Sequence, residues 1–243
     1  MTHRTLPAVT AGAIALALAL TGCTAPKATA PTPTPTPSPT AAPIVPSGDG
    51  ILRVGTLFTM TGKTGGQGDA QVAGTELAAR EILEQEGVLG KPIELVHRNS
   101  AGDIDAALAD FVARGVDVVL WDLSTEVPAE TAATIEAADI ALLPLGEFVH
   151  DGTPVTPGKP FIRRLLSADP GLTIFAGGAE AYDGVITASL AATVAADDGG
   201  PSVAATLESV GSGPTACTSW GECLLALADK QEIRFVGATG ERS

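Results

Sequence analysis

Between Ile51 and Leu145 the chain alternates with little slack. Four short apolar runs, ILRVGTLF, PIELVHR, VDVVLWDL and IALLPL, are separated by three stretches with helical patterning, at residues 69–85, 103–114 and 128–138. A strand that must cross over a helix to reach its neighbour can pair with it only in parallel, and such crossovers are right-handed. The run VDVVLW is apolar at nearly every position, as expected of a strand covered by helices on both faces. The alternation predicts an α/β lobe with one parallel, Rossmann-like sheet flanked by helices.

Helix boundaries can be assigned locally. Asp69 is placed to cap the first helix, with Leu77 and Ile82 on its apolar side and Gly87 and Gly90 beyond its end. Asp103 stands at the N-cap of the second helix and Asp105 in its first turn, where negative charge suits the helix dipole. After Leu145 a Gly/Pro/Thr loop, GEFVHDGTPVTPGKP, leads to a short helix FIRRLLSA and a long one, AEAYDGVITASLAATVAA. A further helix is expected from Pro201 to about Gly211, then a loop containing Cys217 and Cys223, and a last strand, EIRFVG.

The stretch FTMTGKTGGQG, residues 58–68, invites comparison with a phosphate-binding loop. That loop needs a glycine five residues before Gly62-Lys63-Thr64, and the position is Leu57. The following helix is also expected only after Gly68, too late for Lys63 and Thr64 to reach its first turn. A nucleotide is therefore not the expected ligand, and no cofactor is expected.

Arg4 followed by the apolar run Ala11–Leu20 has the layout of a secretory signal, too short to span a bilayer comfortably. It ends in Leu20-Thr21-Gly22-Cys23, which looks like a bacterial lipobox. The expectation is a lipoprotein signal peptide over residues 1–22 and lipidation of Cys23; the alternative is an ordinary signal peptide with an incidental cysteine. Residues 23–50 form a linker rich in Pro and Thr that cannot build a core. In polyproline geometry its length is on the order of 80 Å, and its threonines suit O-glycosylation. Residues 51–243 remain for a single lobe.

With Cys23 assigned to lipid, Cys217 and Cys223 are an even pair in an exported chain, and a disulfide is expected. A zinc site would need two further soft ligands, whereas only His97 and His150 lie outside the leader, so no metal is expected. The formal net charge of −14 disfavours nucleic acid as a partner. No Gly-x-Ser-x-Gly elbow is present and the histidines suggest no triad, so no enzymatic activity is expected.

The opening LRVGTLFTMTGKTGGQGDAQVAGTELAAREILEQEGVLGKPIELVHRNSAGD and the later SADPGLTIFAGGAEAYDGVITASLAA together resemble the periplasmic substrate-binding proteins of branched-chain amino-acid ABC transporters, the leucine-binding type. Members of that family have the type 1 periplasmic binding fold, in which two α/β lobes close on a ligand. Only fifteen residues separate Leu145 from Phe161, too few for a second lobe, so the chain resembles the first lobe alone. The resemblance places ligand-facing groups at Thr61 and Gly62 after the first strand, Ser124 and Thr125 after the third, and Gly146 and Glu147 after the fourth. Ser124 and Thr125 also suit the N-cap of the helix near Pro128, and the first loop is equally readable as a plain turn. Glu147, where the family presents small hydroxyl residues, would attract an ammonium and repel a carboxylate. Tyr182-Asp183, Trp121 and Trp220 are expected to pack in the core.

The resemblance implies a lipid-anchored, extracytoplasmic solute-binding-like lipoprotein with weak or altered binding of an amino acid or similar small molecule. Its partners would be an ABC permease or another envelope protein, with the membrane reached through the lipid. The alternative is a cell-surface interaction or scaffold lipoprotein, or a decayed paralogue, that docks a partner rather than a solute.

Overall fold

The computed structural model describes residues 45–242. The expected leader, Cys23 and the linker up to residue 44 lie outside the described residues. Strands β1 (Arg53–Phe58), β2 (Glu94–Asn99), β3 (Val118–Trp121) and β4 (Ala141–Pro144) form a four-stranded, wholly parallel sheet in the order β2-β1-β3-β4. The connecting helices are α1 (Gly65–Leu83), α2 (Ile104–Arg114) and α3 (Ala129–Ala137). This is the α/β lobe the alternation predicts.

Strand period two explains why β3 is apolar throughout. Val119 and Trp121 pack with Leu108, Phe111 and Ile135 beneath α2 and α3, whereas Val118 and Leu120 join the larger core on the opposite face. Asp103 caps α2 by accepting from the Ala106 N–H at 3.0 Å, as the sequence indicates.

The first helix differs from expectation. It begins at Gly65, directly after a 3-10 turn at Gly62–Thr64, so Asp69 lies inside it and is not its cap. The glycines that suggest a loop are there for close approach: a Cβ on Gly68 would lie 2.1 Å from the Thr59 carbonyl oxygen. Lys63 and Thr64 therefore do stand at the helix start, and Leu57 in place of the required glycine remains the argument against a phosphate loop.

Beyond β4 come α4 (Lys159–Ala168), α5 (Gly178–Ala195) and α6 (Gly200–Thr206), the last shorter than expected and followed by a separate 3-10 turn at Ser209–Gly211. Helix α5 is buried from Gly178 to Ala192. It lies between the main sheet, where Gly184 approaches Leu120 and Leu145, and a second, smaller sheet.

Of that second sheet the sequence foresees one strand, EIRFVG, and neither its two partners nor their pairing. It consists of β5 (Thr215–Cys217), β6 (Ile233–Gly237) and β7 (Gly240–Glu241), with β5 and β6 parallel and β7 antiparallel. The expected cysteine loop is instead the junction of β5 with helix α7 (Trp220–Ala228). Ser219 caps α7 through the Glu222 N–H, and the Cys217–Cys223 disulfide ties strand to helix. The Ser-x-x-Glu spacing of a capping box was present at residues 219–222. Trp121 and Trp220 are both buried.

Where the linker meets the body, the N–H groups of Ser47 and Gly48 donate to Asp197 and that of Gly50 to Asp198, just beyond α5. No helix among the described residues is long and apolar enough to cross a membrane.

Candidate functional site in the loops after β3 and β4

In open parallel sheets, the loops at the carboxyl ends of the strands form the ligand-binding edge. Here that edge is organised by Asp122, the residue after β3, which is 1% exposed. Its carboxylate accepts from the Thr59 N–H at 2.6 Å, from Gln71 Nε2 of α1 at 3.4 Å, and from the N–H and hydroxyl of Ser124, both at 2.9 Å. Burial acts to raise the Asp122 carboxyl, but the bonds from Ser124 and Thr59 outweigh it and hold the pKa below the ordinary range.

Thr125 is held from the other side. Trp121 Nε1 donates to its carbonyl oxygen at 3.1 Å and to its Oγ1 at 3.0 Å. Neither Ser124 nor Thr125 caps α3, whose N-cap is Pro128 without a side-chain bond. On β4, Pro144 leads into a 3-10 turn at Leu145–Phe148 that carries Gly146 and Glu147. Burial pushes the Glu147 carboxyl up, against the opposing pull of Arg242, whose Nε lies 3.5 Å away.

These loops enclose an open cavity of about 610 Å³ lined by Leu123, Ser124, Thr125, Glu126, Val127, Pro144, Gly146 and Glu147. A second hollow of about 470 Å³ shares Leu123, Ser124 and Gly146 and extends to Gln67, Val149, Gly152 and Pro154. The loop bearing Gly152 and Pro154 is fixed by Glu180 of α5, which is fully buried and accepts from the Val155 N–H at 2.6 Å. Burial is the main cause that raises the Glu180 carboxyl.

The structure thus brings Ser124, Thr125, Gly146 and Glu147 to one cavity. Thr61 and Gly62 are exposed and lie outside its lining; Thr61 Oγ1 accepts from Asn99 Nδ2 at 3.0 Å, and from this side of the sheet only Gln67 of α1 reaches the adjoining hollow. Asp122 and Glu180 escape the sequence reading, although a lone acid at the end of the apolar run VVLW was a visible signal. Tyr182 and Asp183 are buried, each with a polar partner: Tyr182 donates to Glu81 at 2.7 Å, and Asp183 accepts from Ala238 and Thr239. Among the described residues no group of three or more His, Cys, Asp or Glu is placed to hold a metal ion.

A family model described as periplasmic binding protein matches residues 51–162. No match was found among curated proteins. Solved structures with partial similarity include the branched-chain amino acid transporter substrate-binding protein LivJ from Streptococcus pneumoniae str. Canada MDR_19A, in complex with isoleucine. It is 24% identical, with 39% of this chain and 28% of that chain covered and a TM-score of 0.31. A putative branched-chain amino acid ABC transporter from Rhodospirillum rubrum is 18% identical, with 47% and 32% covered and a TM-score of 0.35. Another from Silicibacter pomeroyi is 13% identical, with 65% and 83% covered and a TM-score of 0.47. The chain spans about a third or less of the length of the first two. The family match is the finding that bears on this chain. The matched segment, residues 51–162, supplies the whole four-stranded sheet and every residue lining the larger cavity.

Proposed function

We propose that the chain is a solute-binding-like lipoprotein of a branched-chain amino-acid-type ABC transporter, acting by binding rather than catalysis. It is held at the extracytoplasmic face of a bacterial membrane by lipid on Cys23, after removal of residues 1–22. Residues 23–50 serve as the spacer and 51–243 as the binding lobe, which meets an ABC permease or another envelope protein. The observation that carries the reading is the coincidence of the family-matched segment with the cavity between the loops after β3 and β4.

One wall gives a ligand few contacts in open water, and each hydrogen bond returns about 1 kcal/mol against several kcal/mol lost on immobilisation. Leucine-type amino acids are therefore expected to bind with dissociation constants on the order of millimolar or weaker. Thermal shift of the full chain against a panel of small solutes tests the reading. Stabilisation by at least one solute, abolished by filling the cavity with Gly146→Trp, is the expected result. A panel without any effect would instead favour the alternative, a surface lipoprotein whose lobe docks a protein partner.

A further inference from the structure

We propose that residues 47–50, through which the chain enters the lobe, form a pH-sensitive latch, closed while Asp117 holds a proton and released as that proton is lost. The latch stands at the end of the sheet away from the cavity: Arg53 opens β1 and Asp117 directly precedes β3, so both lie at the amino ends of their strands. The Ser47 N–H donates to Asp197 at 3.2 Å, the Gly48 N–H to the same carboxylate at 3.0 Å, and the Gly50 N–H to both oxygens of Asp198 at 2.9 and 3.1 Å. The fit is close, since a Cβ on Gly48 would run into the Asp198 carboxylate and one on Gly199 into Ser47 Oγ. Residues 47–50 lie outside every strand and helix, so no backbone ladder supports them and their hold on the body depends on these carboxylates.

Asp117 is half-buried beside the end of this strap, and its Oδ2 accepts from the Arg53 N–H at 2.8 Å. The charged groups around it are Asp198 beyond α5, Asp49 of the strap and Arg53 of β1. The Arg53 guanidinium is already engaged, with Asp49 at 2.8 Å and with Glu94 of β2 at 3.0 Å. Burial pushes the Asp117 carboxyl up to about 7; Asp198 and Asp49 add to the rise, and the Arg53 N–H and charge oppose it. Asp197 is held below the ordinary range, first by Ser202 and then by the N–H groups of Gly48, Ser47 and Gly199, so it stays an acceptor while Asp117 titrates. Lifting the strap admits water to Asp117 and separates it from Asp49, which returns its pKa toward the ordinary carboxylate value. Closure is therefore favoured most on the acid side and weakens as pH rises from the ordinary carboxylate range to about 7, by up to about tenfold in the closing equilibrium per pH unit for one proton.

Native-state amide exchange of the full chain, followed by NMR from about pH 5 to about pH 8 and corrected for the intrinsic pH dependence of exchange, tests the latch. Protection of the Gly48 and Gly50 amides is expected to fall about tenfold or more between about pH 5 and about pH 7 and to level off above, while the amides of β3 keep theirs. Asp117→Asn retains an oxygen for the Arg53 N–H but cannot ionise, and should make the strap's protection independent of pH. Constant protection of Gly48 and Gly50 in the unmodified chain would overturn the latch without any variant. An equal fall in β3 would overturn it by showing that the whole lobe loosens, and an undiminished fall in Asp117→Asn would overturn Asp117 as the trigger.

Discussion

Asp183 of α5 accepts two hydrogen bonds from Thr239, one from its N–H at 2.7 Å and one from its hydroxyl at 2.6 Å. A third comes from the Ala238 N–H at 2.9 Å, so a carboxyl with no exposure fixes the loop between β6 and β7 onto the buried helix. Burial pushes this carboxyl up to about 6, against the opposing effect of the Thr239 and Ala238 bonds. Because the folded value exceeds the unfolded one, the group favours folding most at low pH, and that contribution is lost as pH rises through about 6. The advantage of the unmodified chain over Asp183→Asn should be largest near pH 4 and shrink by on the order of 3 kcal/mol above pH 6. Urea unfolding across this range measures it, and an advantage growing with pH would refute the assignment.

Asp122 has the opposite sign. Its folded pKa is lowered, so its contribution is present above the ordinary carboxylate range and lost as pH falls through the folded value. Asp122→Ala leaves the Thr59 and Ser124 N–H groups without their acceptor and should cost about 3 kcal/mol, with loss of whatever solute binding the cavity supports. Equilibrium unfolding at neutral pH checks the cost; a change below about 0.5 kcal/mol would mean the loops hold themselves.

Gly74 of α1 sets the distance to α5, since a Cβ there would lie 2.1 Å from the Gly178 carbonyl oxygen. Gly74→Ala raises helix propensity yet should destabilise by about 1–3 kcal/mol, because the two helices must part. A melting temperature equal to or above that of the unmodified chain would show that α1 and α5 separate without penalty.

The Cys217–Cys223 bond closes a short segment and should contribute about 2 kcal/mol by restricting the unfolded chain. Intact-mass analysis of natively exported protein should find both thiols oxidised. Cys223→Ser should lower the urea midpoint without unfolding the parallel sheet, because the bond lies within the β5–α7 unit.

Cys23→Ser should abolish lipid labelling and leave the chain unprocessed or released into the medium. Unchanged labelling and membrane fractionation would exclude Cys23 as the anchor.

The parallel sheet and its helices were legible because their signals are local. Strand VVLW and the Asp103 cap need only their neighbours in sequence to declare themselves, and the Cys217–Cys223 pair was expected from reading the chain as exported with Cys23 set aside for lipid. The cavity lining was legible in part: Ser124, Thr125, Gly146 and Glu147 follow strands whose order places them side by side, whereas Thr61 and Gly62, at the 3-10 turn of the first loop, are exposed and outside the lining. What only the tertiary structure decided is non-local. The second sheet depends on a three-residue strand that becomes one only when it pairs with β6, and α1 starts among glycines because the Thr59 carbonyl lies against Gly68. Asp183 carries no local signature of its role, and Asp122 shows only its place at the end of an apolar run. A buried carboxylate is tolerated only where distant N–H and O–H groups converge on it, and that convergence exists only once the chain has folded.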